Sequence, residues 1–504
     1  IGELIEFAPT TARVKRDGKE FEVDANHVKK DDVVIVKTGE KIPVDGEVVK
    51  GNASVNQSSI TGESVCMEKN VGDKVFAGTI NESGALQVKA TKLYSESTFV
   101  KIISLVEEAE SSKAPVQRLA DKFTQYFAPL VLIAAVLTFA FTQNPLYAIA
   151  VVVVACPCAV ALATPLAVVA STGKAAKRGI ITKGGASLET LSKVDTIVMD
   201  KTGTLTFGKP RVVETKAFAE CTEKEIIRLA AGAEKLSEHP LAKSILAKAA
   251  EYDFKIEEPD KFEVVKGKGI IAHYKKSTII VGNRELLKTN EIIISSEVEE
   301  FTATQEKKGR TVLLLAHDTD VCGAICVADD LRNNAAQAIK ELKKAGIKKI
   351  VMLTGDNKRT AQAVATQLEV DEAVAEMLPE EKVEKVRQTM KKGAKVAMVG
   401  DGVNDAPALA AADVGIAMGT AGSDVAIETA DIALMKDDLT AIVDAVKIGR
   451  HTFSTIKQNI ALAVVFNIVG VGLASTGFLT PILAAIAHSL PDVLVFLNSS
   501  KLYK

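Results

Sequence analysis

Carboxylates in this chain recur directly after short apolar, β-branched runs. Asp200 opens Asp200-Lys201-Thr202-Gly203-Thr204 after Thr196-Ile197-Val198-Met199. Asp356 stands in Thr354-Gly355-Asp356-Asn357 after Ile350-Val351-Met352-Leu353, and Asp401 and Asp405 stand in Gly400-Asp401-Gly402-Val403-Asn404-Asp405 after Val396-Ala397-Met398-Val399. Such runs read as strands, and open α/β sheets bind ligands beyond the carboxyl ends of their strands. An aspartate there, with a reference pKa of about 3.9, is ionised at neutral pH and can attack phosphorus to form an acyl phosphate. Phosphoryl transfer needs a divalent metal to offset charge on the phosphate oxygens, and Mg²⁺ prefers one or two carboxylates with water and phosphate. Asp401 and Asp405 supply those carboxylates. Thr354 offers a hydroxyl and backbone N–H groups to a phosphate, and Lys382, after Pro379, is a candidate cationic clamp. Each motif alone reads equally as a strand-end turn; three in order argue for phosphoryl transfer.

A second chemistry lies in apolar sequence. Cys156-Pro157-Cys158 sits between Val151-Val152-Val153-Val154-Ala155 and Ala159-Val160-Ala161. Proline removes a helical hydrogen bond and loosens the backbone where two soft sulfurs flank it, which suits a metal cation at membrane depth. The setting is a membrane one, because Phe123 to Gly173 contains no Asp, Glu, Lys or Arg, and Gln458 to Ser500 contains only Asp492. A crossing takes about 20 apolar residues, so each stretch is long enough for a helical hairpin. The spans are expected at 127–142 and 146–170, around Gln143-Asn144-Pro145, and at 459–475 and 479–498. Lys and Arg flank the outer ends and are absent from both inner turns, which places the polar domains in the cytoplasm.

The elements that must position these residues follow from the pattern. The 504 residues carry 62 basic and 64 acidic side chains, a formal charge of -2, which excludes an overall electrostatic grip on nucleic acid. Six scattered cysteines do not make a disulfide framework and suit a reducing cytosol, with Cys322 and Cys326 read as core. The first 110 residues read as a small β-rich domain with short runs such as Val33–Val36, followed by a helix at 96–109. Between the hairpins, strand-like and helical runs alternate, as in an α/β domain with a parallel sheet. From about 208 to 328 a helix at 241–252 and β-type runs at 270–273, 278–281 and 311–316 interrupt it, as an inserted α+β domain would. The expected division is 1–110, hairpin 111–173, α/β domain 174–207, insertion 208–328, α/β domain resumed 329–450, and hairpin 451–504.

On these motifs the sequence resembles the P-type ATPases along essentially its whole length. The resemblance implies a multidomain membrane protein with a β-rich actuator domain, a haloacid-dehalogenase-like phosphorylation domain and an inserted nucleotide-binding domain. It implies ATP and Mg²⁺ as cofactors, Asp200 as the phosphorylated nucleophile, and a phosphate and Mg²⁺ site lined by Lys201, Thr202, Thr354, Gly355, Asp356, Lys382, Asp401, Asn404 and Asp405. Thr61-Gly62-Glu63-Ser64 matches the actuator loop, where Glu63 positions the water that hydrolyses the aspartyl phosphate. Glu234, His239-Pro240, Gly267-Lys268-Gly269 and Asn283 resemble the nucleotide-binding set of the heavy-metal-transporting subgroup. The paired cysteines carry that subgroup's signature.

The cargo is then a heavy or transition metal cation, exported across what is expected to be the plasma membrane. The resemblance also allows a cytosolic metal donor as partner beside the bilayer, and gives no role to nucleic acid. Phe466-Asn467 and His488-Ser489-Leu490-Pro491-Asp492 complete neither the copper(I) nor the zinc pattern of the subgroup. Cys156, Cys158, Asn467, His488 and Asp492 are the candidate ligands; the oxygen and imidazole donors tilt the reading to a divalent ion such as zinc, with copper(I) and manganese as alternatives. The family's earlier membrane helices are not in this sequence, so the chain is expected to be N-terminally truncated. A non-transporting phosphatase of the same fold is the rival, and it leaves the spans and the thiol pair without a role.

Overall fold

A computed structural model describes residues 9–16, 19–57, 66–97, 100, 115–218, 221–237, 240–252, 254–265, 267–275, 277–401, 405–419 and 429–503. The chain divides into two compact units, residues 1–194 with 413–504, and residues 195–412.

In the first unit, an antiparallel sheet builds the N-terminal domain. Its long strands Gly46–Asn56 and Ile80–Ala90 pair along their length, and Thr11–Arg16, Lys19–Asp24 and Val33–Val36 extend the sheet on one side. Alternation puts Val14, Val34, Val36, Val48, Val55, Leu86 and Val88 into one core with Ile42 and Val44. The helix expected at 96–109 lies almost wholly outside the described residues.

Among the described residues, four helical segments are long and apolar enough to cross a membrane: Gln125–Thr142, Pro145–Lys177, Thr440–Ser475 and Pro481–Ser500. Small residues let them approach closely; Ala159, Val160 and Ala163 pack with Ala463 and Val495. Leu132, Ile133, Val136, Val465, Ile468 and Phe496 remain exposed, as side chains turned to lipid do. Of the ends that differ from the expected ones, two have plain physical reasons. The last hairpin's second arm starts at Pro481, two residues later than expected, because Thr480 caps it by accepting from the Leu483 N–H at 3.3 Å and Pro fits the first turn. The helix Thr440–Ser475 has 36 residues, about 54 Å, far more than the roughly 30 Å hydrocarbon core, so its first turns project beyond the bilayer. The second arm of the first hairpin is two helices, Pro145–Val154 and Cys158–Lys177, broken around Pro157 as the sequence foretells.

In the second unit, four parallel strands run in the order Glu372–Val374, Lys349–Leu353, Thr196–Asp200, Val396–Gly400. Every residue of Thr196–Asp200 and of Val396–Gly400 is buried, which fits a sheet covered on both faces. The interrupting region is a six-stranded antiparallel sheet in the order Arg211–Ala217, Asp320–Ala328, Thr311–His317, Ser277–Gly282, Gly269–Tyr274, Lys261–Val265. Helices Glu223–Glu234 and Pro240–Ala249 cover one face, and Arg284–Thr289 and Ser296–Lys307 cover the other. Cys322 and Cys326 are buried in these two cores, where burial pushes both thiols up to about 12.

Candidate functional site

Strand register assembles the first site. Leu353 lies opposite Asp200 and Val399 opposite Met199, so the residues that follow all three strands emerge at one edge of the sheet. Asp200 is 4% exposed there. Lys382, from the first turn of the helix Pro379–Lys391, brings Nζ to 2.7 Å from Asp200 Oδ1 and 2.8 Å from Asp405 Oδ1. Burial, then the neighbouring charge of Asp405, pushes Asp200 up to about 7. Burial likewise raises Asp405. Burial opposes the Lys382 ammonium, but the two carboxylates outweigh it and its pKa is raised.

Asp405 Oδ2 is buried and receives no donor among the described residues unless Asp200 is protonated. Asp401 faces the same space, since its charge raises both Asp200 and Asp405. An orphaned buried carboxylate oxygen beside the Asp401 carboxylate is a donor pair that fits a hard divalent cation completed by water and phosphate. Asn404 lies outside the described residues.

The loop after Asp200 is fixed from two sides. Gly203 has φ +74°, and a Cβ there would stand 3.1 Å from Asp401 Oδ2, so glycine is required both for the backbone and for the carboxylate's position. Buried Lys201 pairs with Asp356. Asp356 also accepts from Thr354 Oγ1 at 3.0 Å and Thr311 Oγ1 at 2.9 Å. Burial would raise that carboxyl, but Lys201 and the hydroxyls hold it below the usual carboxylate range. Thr354 is buried and shaped to its own loop, whereas Thr202 and Gly355 are exposed at its mouth.

Two groups of residues escape the sequence reading. Arg332 is 5% exposed and donates to the Thr204 carbonyl at 2.7 Å and the Gly203 carbonyl at 3.0 Å, clamping the loop from behind. Its signal was an arginine in the polar run Asp329-Asp330-Leu331-Arg332 after an apolar strand. Glu306, with a 2% exposed side chain, accepts from Arg284 at 2.6 and 3.0 Å, from Arg359 at 3.3 Å and from Asn357 Nδ2 at 2.7 Å. Asn357 Oδ1 caps the helix Lys358–Leu368 through the Thr360 N–H, so this buried carboxylate ties the inserted region to the loop that carries Asp356. No local pattern marks a glutamate on a polar helix as such an anchor.

In the inserted region, Gly267, Gly269 and Asn283 come together. Asn283 Nδ2 donates to the Gly267 carbonyl at 3.2 Å while its Oδ1 caps the next helix through the Leu286 N–H. Gly269 pairs with Gly282 across the sheet, and a Cβ on Gly269 would stand 2.2 Å from the Val281 carbonyl oxygen, so its glycine serves close strand packing. Glu234 ends the helix Glu223–Glu234, 6% exposed; burial raises its carboxyl, and its Oε2 is without a partner among the described residues. His239 and Glu63, with the rest of Thr61–Ser64, lie outside the described residues.

A second site occupies the broken helix of the first unit. Cys156 and Cys158, expected as separate thiols, are joined as a disulfide across the Pro157 break, with Cα atoms 5.4 Å apart. The break that frees backbone carbonyls also turns both sulfurs to one point. Buried Asn467 donates to the Cys156 carbonyl at 3.2 Å. His488 is half-buried, its Nδ1 2.6 Å from the Ala485 carbonyl oxygen, and Asp492 has Oδ1 buried without a partner among the described residues. Among the described residues no three His, Cys, Asp or Glu side chains converge on one point.

Residues 194–413 match the haloacid dehalogenase-like hydrolase family, and residues 6–107 match the P-type ATPase actuator domain. A copper-exporting P-type ATPase of Bacillus subtilis (strain 168) is 43% identical over 517 residues, covering 100% of this chain. One of Staphylococcus saprophyticus, also a copper-exporting P-type ATPase, is 44% identical over 512 residues. The chain spans 64% of the length of each. A crystal structure of a zinc-transporting PIB-type ATPase in the E2.Pi state is similar over 100% of this chain and 83% of its own, with 35% identity and a TM-score of 0.61.

Proposed function

Because the chain belongs to the heavy-metal-transporting branch of the P-type ATPase family, we propose that the complete protein couples ATP hydrolysis to export of a soft metal cation through an aspartyl phosphate on Asp200. The observation that carries this reading is the Lys382 ammonium between Asp200 and Asp405, 2.7 and 2.8 Å away, at the carboxyl edge of a parallel sheet. Lys382 holds Oδ1 of Asp200 as the carboxylate and leaves the other oxygen as the nucleophile. That oxygen bonds to the terminal phosphorus of ATP, and the bond to the bridging oxygen breaks to release ADP. Mg²⁺, held by Asp401 and Asp405, would offset charge on the phosphate oxygens. Lys201, anchored on Asp356, and the exposed Thr202 and Gly355 shape the mouth that receives the phosphate. Glu63 is the residue that the family resemblance assigns to water for the hydrolytic step, and Glu234, His239, Gly267, Gly269 and Asn283 are its nucleotide set.

Copper(I) is the favoured cargo. Supporting it are the two relatives named for copper export at 43% and 44% identity, and a sulfur pair on which no further His, Cys, Asp or Glu side chain converges among the described residues, His488 being turned to the Ala485 carbonyl. Reduced, the two sulfurs form a soft, two-coordinate site. The tilt of the sequence towards a divalent ion rested on His488 and Asp492 converging with the sulfurs. Zinc stays the second reading on the strength of the zinc-transporting structure. Export at the plasma membrane and delivery by a cytosolic donor belong to the same proposal.

The test is ATP carrying label on its terminal phosphorus, given to the purified full-length protein with copper(I), zinc or manganese in turn. Copper(I) should stimulate turnover of an acid-stable labelled protein that Asp200→Asn lacks. Cys156→Ala with Cys158→Ala should keep the label and lose the metal stimulation. Label retained in Asp200→Asn sinks the catalytic assignment, and stimulation retained in the double cysteine variant sinks the metal path.

A further inference from the structure

A pocket edged by charged side chains lies where the second and third spans leave the membrane. It holds about 110 Å³ and is lined by Ser171, Lys174 and Arg178 on one helix, by Asp444, Lys447, His451 and Thr452 on another, and by Leu502. A water molecule needs about 10–15 Å³ by the same measure, so the space suits a tetrahedral oxyanion or a few waters. Its floor is tied: Thr452 Oγ1 donates to Ser171 Oγ at 2.6 Å, both buried.

Depth follows from helix rise. The charge-free run of the first hairpin ends at Gly173, so Ser171 marks the edge of the hydrocarbon. From Ser171 to Arg178 the helix climbs about 10 Å, and from Thr452 back to Asp444 about 12 Å. The headgroup layer adds roughly 5–8 Å to each side of the core, so the first part of that interval, with Lys174 and Lys447, lies in it. Lys177 stacks 4.4 Å over the ring of Tyr503 nearby, and tyrosines and lysines of this kind mark the interface.

Charge decides what the pocket attracts. Three cations, Lys174, Arg178 and Lys447, line it against one carboxylate, Asp444, which pairs with Arg178 at 3.0 Å. His451 adds a ring donor. The wall is therefore positive in excess at headgroup depth, with two hydroxyls below. We propose that this pocket binds the phosphodiester of an anionic phospholipid, with Lys174, Lys447 and His451 on the phosphate oxygens and the acyl chains running down the exposed apolar faces of the spans. Free phosphate shares the chemistry but lacks the chains. The inference rests on these helices spanning the membrane and is independent of the ion transported.

The test uses the full-length protein in phosphatidylcholine nanodiscs with or without phosphatidylglycerol, and counts retained phosphatidylglycerol by native mass spectrometry after gentle release. Each cation near an anionic surface contributes about 1 kcal/mol, so Lys174→Gln with Lys447→Gln should weaken retention roughly thirty-fold. Lys174→Arg with Lys447→Arg should restore it. Phosphorylation of Asp200 in pure phosphatidylcholine should stay unchanged, which shows that the variant is folded and separates this proposal from the catalytic one. Equal loss from the control Lys457→Gln would reduce the effect to general surface attraction and overturn the site. Displacement of the lipid by millimolar inorganic phosphate would overturn the lipid in favour of the free ion. Unchanged retention in the double glutamine variant would overturn both.

Discussion

Replacing Lys382 by alanine tests the catalytic geometry most directly. Its side chain is 11% exposed and holds two carboxylates that are 6% and 1% exposed. At an effective dielectric of about 20, each contact near 2.75 Å has a gross attraction of roughly 6 kcal/mol. Desolvation offsets most of that, and breaking such a buried arrangement by removing one partner costs about 3–5 kcal/mol. The structure indicates where that cost falls. Without the ammonium, Asp200 and Asp405 are like charges in a buried site, Asp200 is already pushed up to about 7, and the protonated nucleophile gains population. Removing a preorganised charge partner of this kind typically lowers a rate by about 10²–10³-fold. The assay is single-turnover formation of acid-stable phosphoprotein from terminally labelled ATP, beside a thermal melt to show that the variant is folded. Lys382→Arg keeps the charge and displaces it, so an intermediate rate is expected. A Lys382→Ala protein that phosphorylates within about threefold of the parent would refute the assignment, since a threefold change corresponds to less than about 1 kcal/mol of transition-state stabilisation.

Further outcomes follow from neighbouring contacts. Gly203→Ala forces a side chain into a left-handed conformation at φ +74° and against Asp401, so phosphorylation should need a higher Mg²⁺ concentration; an unchanged Mg²⁺ titration would show that Asp401 is not held there. Glu306→Gln removes the charge that Arg284, Arg359 and Asn357 share, with an expected loss of about 3 kcal/mol, or roughly 6–12 °C in Tm for a unit of this size, measured by calorimetry. Lys349 and Lys385 hold the Glu372 carboxyl down at about 2. A depressed carboxyl stabilises the fold above its ordinary range, and that stability is lost as pH falls from about 4.5 towards about 2. With 32% of the Glu372 side chain exposed, solvent screening leaves about 1 kcal/mol, so Tm should drop a few degrees in that window and drop less in Lys385→Ala.

Residue order by itself determined whatever depends on neighbours along the chain. Asp200, Asp356 and Asp401 were legible because a run of β-branched residues followed by a turn is a local event, and its meaning in an open sheet is general. The spans were legible because hydrocarbon excludes charge over some twenty consecutive positions, and the break at Pro157 because proline lacks an N–H. Tertiary structure alone decided what meets across long separations. Lys382 reaches Asp200 across 182 positions, Arg332 reaches the Thr204 carbonyl across 128, and Asn357 reaches Glu306 across 51. Such pairs leave no periodicity to read, because a long charged side chain looks the same in sequence whether it ends in water or in a buried ion pair. It also decided that Asn467 meets the Cys156 carbonyl while His488 turns back to the Ala485 carbonyl of its own span, since which face a span turns inward is set by its packing against other helices and not by its own composition.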